Sequence, residues 1–189
     1  MKRRKTIIFV SHCLLNVNVK VMGLAAYPGA VTELVCFLMD HDTAMVQLPC
    51  PETEILGLCR WGHVKDQLAY PFFEDHCRRL LSPFIRQIRM YRENGYLLKG
   101  VVGIDGSPSC GVHKTCRSRL WSGDFLDKED TWKKIQNLEW RAEPGIFMEI
   151  FQALLTENNL SLDFFAVDET DIETSLSDLF QTLSPVLKR

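Results

Sequence analysis

The chain has 189 residues, of which 46% are hydrophobic and 24% charged, a composition that is ordinary for a globular protein and suits a single domain over residues 1–189. The formal net charge is only −2, so no basic excess is available to bind a nucleic-acid backbone, which argues against a long DNA or RNA partner. No apolar run is long enough to span a membrane, and the run after the basic start is too short for a signal peptide. Both observations predict a cytoplasmic protein without a membrane partner.

Short apolar runs alternate with helical patterns along the chain. The runs are rich in β-branched and aromatic residues, as in buried strands, whereas apolar residues three or four positions apart indicate helices. The sequence predicts, in chain order, a strand at 6–11, a helix at 30–39, a strand at 44–48, a helix at 72–94, a strand at 98–104, a helix at 144–158, a strand at 162–167 and a helix at 176–187. Because Pro83 lies within residues 72–94, this segment is compatible with one kinked helix or with two helices. The alternation predicts an α/β, Rossmann-like three-layer fold with a mostly parallel sheet and helices on both faces.

Three of the seven cysteines come shortly after predicted strands. Cys13 follows the first strand, Cys50 the second and Cys110 the third. Because ligands bind at the carboxyl ends of the strands in open parallel sheets, we expect these thiols to meet although they are far apart in sequence. Three thiolates can hold an iron–sulfur cluster, and a four-iron cubane would then keep one iron open to a soft atom such as sulfur. Cysteines that only fill space in the core are the alternative.

The other four cysteines are expected to have structural roles. Cys36 lies within the predicted helix at 30–39, beside its apolar stripe, which predicts a core position. The remaining three are Cys59, Cys77 and Cys116. Two alternatives remain. Cys116 is a fourth ligand of the cluster, or His113 is the fourth ligand of a zinc ion on the same three cysteines. Either arrangement would leave no free coordination position on the metal.

Three short motifs surround the cluster cysteines: SHCLLN at 11–16, CPE at 50–52 and SPSCG at 107–111. In this order they resemble the thiouracil desulfurase family, over roughly the first two-thirds of the chain. The resemblance implies a [4Fe–4S] cluster on Cys13, Cys50 and Cys110, whose free iron captures the sulfur of a small thiolated substrate. In the implied reaction, water converts C=S into C=O without net redox change.

The chain departs from the family pattern in two places. Residues 18–29 stand where relatives have an Arg-Tyr-Asp-Gly-like stretch, and residues 53–62 replace a glycine-rich continuation of the second motif. The chain therefore resembles a diverged branch of the family. We expect its substrate to be a small thionucleobase-like or thioamide-like compound, and its own state to be a monomer or a homodimer.

Two residues of the motifs are candidates for catalysis. The resemblance assigns roles to Glu52, which follows the second cysteine of the set, and to Ser109, which precedes the third. Glu52 would activate water or protonate the substrate nitrogen, and Ser109 would orient the substrate or relay a proton. The structural alternatives are a carboxylate placed at a helix N-terminus and a serine that caps the following helix.

Four further residues are candidates for substrate binding. Asn16 lies in the first motif, and Asp105 ends the third predicted strand at the edge where ligands bind. Arg60 could anchor an anionic or carbonyl-bearing substrate, and Trp61 offers a ring for stacking. Lys65 could serve as a second anchor, although we expect it to be solvated at the surface.

Two other functions would use the same cysteines. A non-catalytic zinc or iron–sulfur module would bind its metal without an open coordination position. A sulfur-transfer protein would pass the sulfur to an acceptor instead of releasing it. The polar segment 117–143, which carries three tryptophans, is expected to pack over the site in each case.

Overall fold

The computed structural model describes residues 3–188. None of the helices in this part of the chain is both long and apolar enough to cross a membrane. The strands and α-helices, in chain order, are β1 (Thr6–Val10), α1 (His12–Leu15), α2 (Thr32–Asp40), β2 (Ala44–Gln47), α3 (Pro51–Leu56), α4 (Lys65–Leu68), α5 (Pro71–Glu93), β3 (Leu97–Asp105), β4 (Thr115–Arg117), α6 (Lys128–Gln136), β5 (Glu139–Arg141), α7 (Ile146–Glu157), β6 (Phe164–Asp168) and α8 (Ile172–Lys188). Two short 3-10 turns lie at Val17–Val19 and Glu169–Asp171.

Four strands form one parallel sheet in the order β2-β1-β3-β6. The inner strand β1 is buried along its whole length, as expected for a strand that is covered on both faces. Helix α5 packs on α7, and α2 packs on α8, so each pair forms one helical layer beside the sheet. The architecture confirms the predicted α/β, Rossmann-like fold with a mostly parallel sheet between helices.

The observed elements differ from the predicted ones mainly at their ends. Helix α5 is continuous and contains Pro83, so the segment does not divide into two helices. Proline has no N–H to donate to the carbonyl group of the preceding helical turn. Because Pro83 is exposed, water can donate a hydrogen bond to that carbonyl group instead. The sequence does not predict α1, α3 or α4, because helices of four to six residues are too short to show a helical period.

Cys36 is exposed, so the prediction that it lies in the core is wrong. Helix α2 buries Leu34 and Leu38, each two positions away from Cys36. Successive helical residues are turned by about 100°, so a residue two positions from a buried one points to nearly the opposite side of the helix. Cys77 is buried in α5, where it fills space among apolar side chains, as expected for a structural cysteine.

The segment 117–143 is attached to α4 by charged contacts. Strands β4 and β5 pair antiparallel and bring the two ends of the segment together. Arg117 donates to Asp66 of α4 at 2.9 Å and to Glu143 at 2.6 Å. These contacts hold the segment beside the loops that follow β2 and β3.

Candidate functional site

The three predicted cluster cysteines lie at neighbouring strand ends. Cys13 is in α1, which begins two residues after the end of β1. Cys50 precedes α3, three residues after the end of β2, and Cys110 lies in the turn that follows β3. Because β2, β1 and β3 are adjacent in the sheet, their carboxyl ends present the three cysteines to the same region.

The three thiols act on one another electrostatically. Burial, followed by the neighbouring Cys50, raises the pKa of the Cys13 thiol to about 12. Burial, Cys13 and Cys50 together raise the pKa of the Cys110 thiol well above its ordinary value. Repulsion between nearby negative charges disfavours the thiolate forms of Cys13 and Cys110, and a bound cation would favour them.

Hydroxyl groups lie beside two of the sulfurs. Thr53 Oγ1 is 3.2 Å from Cys50 Sγ, and Ser109 Oγ is 3.7 Å from Cys110 Sγ. Hydrogen bonds to sulfur are one of the ways in which a protein tunes an iron–sulfur cluster. Ser11, which precedes α1, has a buried Oγ without a hydrogen-bond partner. Three soft sulfur donors, two hydroxyl neighbours and one unsatisfied hydroxyl fit an iron–sulfur cluster chemically.

The two alternative fourth ligands have partners in the protein. The thiol of Cys116 donates to the carbonyl oxygen of His63 at 3.5 Å, and His113 Nδ1 is 3.3 Å from Asp105 Oδ2. Within residues 3–188, no group of three or more His, Cys, Asp and Glu side chains, the three cysteines included, is arranged so that it could hold a single metal ion. In a four-iron cluster each thiolate binds a different iron, so the cluster does not require the sulfurs to converge on one ion.

Glu52 is buried between a hydroxyl and a guanidinium group. Ser109 Oγ donates to Glu52 Oε1 at 2.6 Å, and Arg60 Nε is 3.5 Å from Glu52 Oε2. The Arg60 and Glu52 side chains are only 5% and 9% exposed, so the ion pair is shielded from water. Pro51 starts α3, which fixes Glu52 at the second helical position next to Cys50. The two predicted catalytic residues thus contact each other directly.

Arg60 makes most of its hydrogen bonds to the backbone. Its terminal nitrogens donate to the carbonyl oxygens of Gly57 at 2.9 Å and of Val19 at 2.6 Å. Its Nε lies near Glu52 but is not aligned for a hydrogen bond. Arg60 therefore connects two loops and compensates the charge of Glu52, while substrate anchoring by Arg60 stays a prediction.

The turn that carries Cys110 is held tightly by backbone contacts. Ser107 Oγ accepts from the backbone N–H groups of Ser109 at 3.3 Å and of Cys110 at 3.0 Å. Ser109 O accepts in turn from the N–H of Phe147 in α7 at 3.0 Å. Only glycine fits at position 145, because a Cβ there would lie 2.6 Å from the carbonyl oxygen of Ser109. The first turn of α7 therefore fixes the position of the Cys110 turn.

Asp105 organises the backbone after Cys110. Its Oδ1 accepts from the N–H groups of Val112 at 2.9 Å, His113 at 2.8 Å and Lys114 at 3.2 Å. Three donors on one oxygen leave Oδ2 for the imidazole of His113, whose side chain is 63% exposed. Asp105 therefore has an observed structural role, and its role in substrate binding stays a prediction.

The remaining predicted binding residues lie in different surroundings. Asn16 Oδ1 accepts from the backbone N–H and the side-chain amide of Asn18, so Asn16 caps the 3-10 turn at Val17–Val19. Trp61 is 73% exposed, and its ring centroid lies 5.2 Å from that of Phe125. Neither contact tests the predicted binding roles of Asn16 and Trp61.

Lys65 is buried, so the prediction that it is solvated at the surface is wrong. Its Nζ donates to the carbonyl oxygen of Pro144 at 2.8 Å and lies 2.7 Å from Glu149 and 3.7 Å from Glu143. An ammonium group is tolerated in a buried position when carboxylates and a carbonyl surround it. Lys65 therefore connects α4 to the start of α7.

Three residues that the sequence analysis does not single out lie next to Cys13: Lys20, Tyr27 and Glu169. Tyr27 Oη donates to the carbonyl oxygen of Cys13 at 3.0 Å, and Lys20 forms an ion pair with Glu169. Burial, Cys13 and Glu169 raise the pKa of Tyr27. Lys20 and Glu169 are 149 positions apart, so local sequence holds no sign of their pairing. The sequence signal for Glu169 is its position directly after the fourth strand of the parallel sheet, at the edge where ligands bind.

No family model matches the chain, and no solved structure matches it. The uncharacterized protein MJ0003 of Methanocaldococcus jannaschii is 36% identical to the chain over 110 residues. The matched residues are 58% of this chain and 70% of the archaeal protein. With this identity over more than two-thirds of the relative, the chain belongs to the same family as MJ0003.

Proposed function

We propose that the chain is a [4Fe–4S]-dependent desulfidase that converts C=S into C=O in a small thiolated compound. One observation carries the proposal: Cys13, Cys50 and Cys110 follow adjacent strands beside a buried hydrogen bond between Glu52 and Ser109. Thiols that can hold a metal centre, next to a carboxylate and a hydroxyl that can handle a proton, suit a reaction that exchanges sulfur for oxygen.

Cys13, Cys50 and Cys110 are the residues that would hold the cluster. When bound, a cluster with three protein ligands supplies one iron without a protein ligand, which is a soft Lewis acid for the sulfur of the substrate. The raised pKa of the Cys13 thiol agrees with this role, because a thiol that keeps its proton in the folded protein would lose it when a metal binds.

Glu52 would accept a proton from the water that attacks the thiocarbonyl carbon. The hydrogen bond from Ser109 orients the Glu52 carboxylate. Arg60 compensates the negative charge of Glu52 in a position that is shielded from water. The C=S bond breaks, the oxygen of water forms the new C=O bond, and the sulfur leaves with the two protons of water as hydrogen sulfide. The reaction is balanced without an oxidant or a reductant.

The seven cysteines support a cytoplasmic location for this activity. The structure contains all seven as free thiols, and a reducing compartment keeps thiols available for a cluster. The substrate would be a small molecule, since the net charge of −2 gives no general attraction for a nucleic-acid backbone.

The proposal is tested by anaerobic purification and reconstitution, followed by a screen for sulfide release. We expect about four irons per chain, and sulfide release from at least one thiouracil, thiouridine or simple thioamide together with the matching oxo product. Zinc without iron in the reconstituted protein would favour the non-catalytic module and contradict the proposal. Transfer of the sulfur to an acceptor thiol, with no free sulfide, would favour a sulfur-transfer protein instead.

A further inference from the structure

We propose that the open edge of β6, together with the neighbouring face of α8, forms a groove that binds an extended basic segment of a partner protein. The segment would add a fifth strand to the sheet, and its lysine or arginine side chains would face aspartates of the groove. This interaction does not depend on the proposed desulfidase function.

The groove lies between a strand and a helix. In the sheet order β2-β1-β3-β6, strand β6 is outermost, so one of its two edges is paired with β3 and the other is open. Residues 164–166 of β6 line one wall of the groove, and Thr174, Asp178 and Thr182 of α8 line the other. The cavity between the walls measures about 510 Å³. An open strand edge beside a helix is a setting in which extended peptides can add a strand.

In the part of the chain that the structure describes, no strand lies beside the outer edge of β6. A backbone N–H of β3 donates to the carbonyl oxygen of Asp163 at 2.8 Å, so the backbone groups of Asp163 face β3. Since these groups alternate along a strand, Phe164 and Ala166 direct their N–H and C=O groups to the open edge. Asp168 follows the same alternation, because its N–H donates to Ser175 Oγ of α8 at 2.8 Å. A partner strand would therefore find the backbone groups of two residues available.

The open edge lacks the features that usually prevent strand pairing. Exposed edges are commonly protected by lysine, proline or a bulge. Residues 164–167 are Phe, Phe, Ala and Val, and they pair with β3 without a shift in register. The two phenylalanines are half-buried, so part of each ring reaches the surface. An unbroken apolar strand with one free edge is suited to pairing with another strand.

The charge of the groove favours a basic partner. Asp171 and Asp178 line the groove and are exposed, whereas Asp168 forms an ion pair with Lys114. Of the lining residues that the structure describes, none is a lysine or an arginine. A second copy of β6 would bring the same aspartates to the interface, so repulsion disfavours a symmetric dimer through this edge. The groove therefore selects a segment that carries positive charge.

The two faces of the sheet set the pattern of the segment. The ring of Phe164 meets the ring of Phe151 in α7 edge-on, with centroids 5.9 Å apart, so Phe164 faces α7. Phe165 consequently faces the side of α8, because successive side chains of a strand point to opposite faces. An added strand would alternate in the same way. Its side chains on the α8 side would meet Asp178, and those on the α7 side would lie beside Phe164. We expect a segment in which basic and apolar residues alternate.

Calorimetry on the full chain tests this assignment with a synthetic peptide of about seven residues in which lysine alternates with valine. We expect the peptide to bind with a Kd below about 1 mM, more weakly at high salt, whereas a peptide with glutamate in place of lysine does not bind. Asp171→Asn combined with Asp178→Asn should weaken binding by about tenfold. Asp75→Asn is the matched control, because Asp75 is exposed on α5 in the other helical layer. No binding of the lysine peptide, or equal binding of both peptides, would overturn the assignment.

A second measurement separates strand addition from simple charge attraction. A peptide with proline in place of valine keeps the charges but cannot form a strand, and we expect it not to bind. Ala166→Pro removes an N–H that points to the open edge and none that bonds to β3, so we expect a folded protein that binds the lysine–valine peptide at least about tenfold more weakly. Circular dichroism checks the fold of this variant. Equal binding of the valine and proline peptides, or a dimer of the chain that the peptide does not dissociate, would overturn the inference.

Discussion

The hydroxyl of Ser109 donates a hydrogen bond of 2.6 Å to Glu52 Oε1, and both residues are buried. Glu52 follows β2 and Ser109 follows β3, and β1 lies between these two strands in the sheet. The bond therefore joins the loops on either side of the strand that leads to Cys13. It connects the Cys50 and Cys110 loops and also sets the orientation of the carboxylate.

Ser109→Ala removes the donor to Glu52 and leaves Oε1 unsatisfied in a buried position. We expect kcat/KM for sulfide release to fall by about ten- to a hundredfold, with no change in iron content. Ser122→Ala is the control, because Ser122 is exposed in the loop between β4 and α6. An unchanged rate in Ser109→Ala would remove Ser109 from the reaction.

Glu52→Gln keeps the shape of the side chain but removes its charge. We expect the rate of sulfide release to fall by about a hundredfold or more, because a proton acceptor is lost. Since Arg60 would then lack its buried counterion, urea unfolding should show a loss of about 3 kcal/mol in the free energy of unfolding. The control is Glu54→Gln in the same helix, where the side chain is exposed. Full activity in Glu52→Gln would show that another group accepts the proton.

Arg117 stabilises the protein in a pH-dependent manner. Burial alone would raise the pKa of Asp66, but hydrogen bonds from Arg117 and Ser118 bring it below its ordinary value of 3.8. The hydrogen bond from Arg117 likewise holds the pKa of Glu143 below 4.5. Carboxylates with lowered folded-state pKa values stabilise the fold above their unfolded-state pKa, and this stability is lost as the pH falls through the folded-state pKa.

The corresponding experiment follows urea unfolding of Arg117→Met at pH 7, 5 and 3. We expect the variant to be less stable than the wild type by about 1 kcal/mol at pH 7, because the partners are partly exposed. The difference should persist at pH 5 and shrink at pH 3. Arg119→Met, an exposed neighbour, serves as the control. A difference that is the same at pH 7 and pH 3 would contradict an electrostatic origin.

His113 and Cys116 should not be cluster ligands. His113 is largely exposed beside Asp105, and the thiol of Cys116 donates to a backbone carbonyl. We therefore expect His113→Ala and Cys116→Ala to keep about four irons per chain and to release sulfide. Iron analysis that shows a loss in either variant would identify a fourth protein ligand and close the open position that the proposed reaction needs.

The regular elements of the fold could be predicted from the sequence because their patterns are local. The apolar runs and the helical spacing give the four parallel strands and the long helices, and the position of a cysteine after each of three strands indicates where the thiols meet. The direct contact between Glu52 and Ser109 is not predicted from the sequence, which places each residue only after a strand of the same sheet, and β1 lies between those two strands.

The remaining features depend on contacts between distant parts of the chain. Lys65 is surrounded by the start of α7, and Lys20 meets Glu169 only when the loops after β1 and β6 come together. Burial of a charged side chain requires partners, which no local pattern specifies. Cys36 is different, because the helical period itself places it opposite the buried stripe of α2.

Iron content after anaerobic reconstitution shows whether Cys13, Cys50 and Cys110 together hold one cluster. We predict about four irons per chain in the wild type and in Cys36→Ala, whose cysteine is exposed in α2. Alanine at Cys13, Cys50 or Cys110 should each lower the iron content and abolish sulfide release, while circular dichroism confirms that the variants are folded. If folded variants of all three cysteines retained the iron of the wild type, these cysteines would not be the cluster ligands.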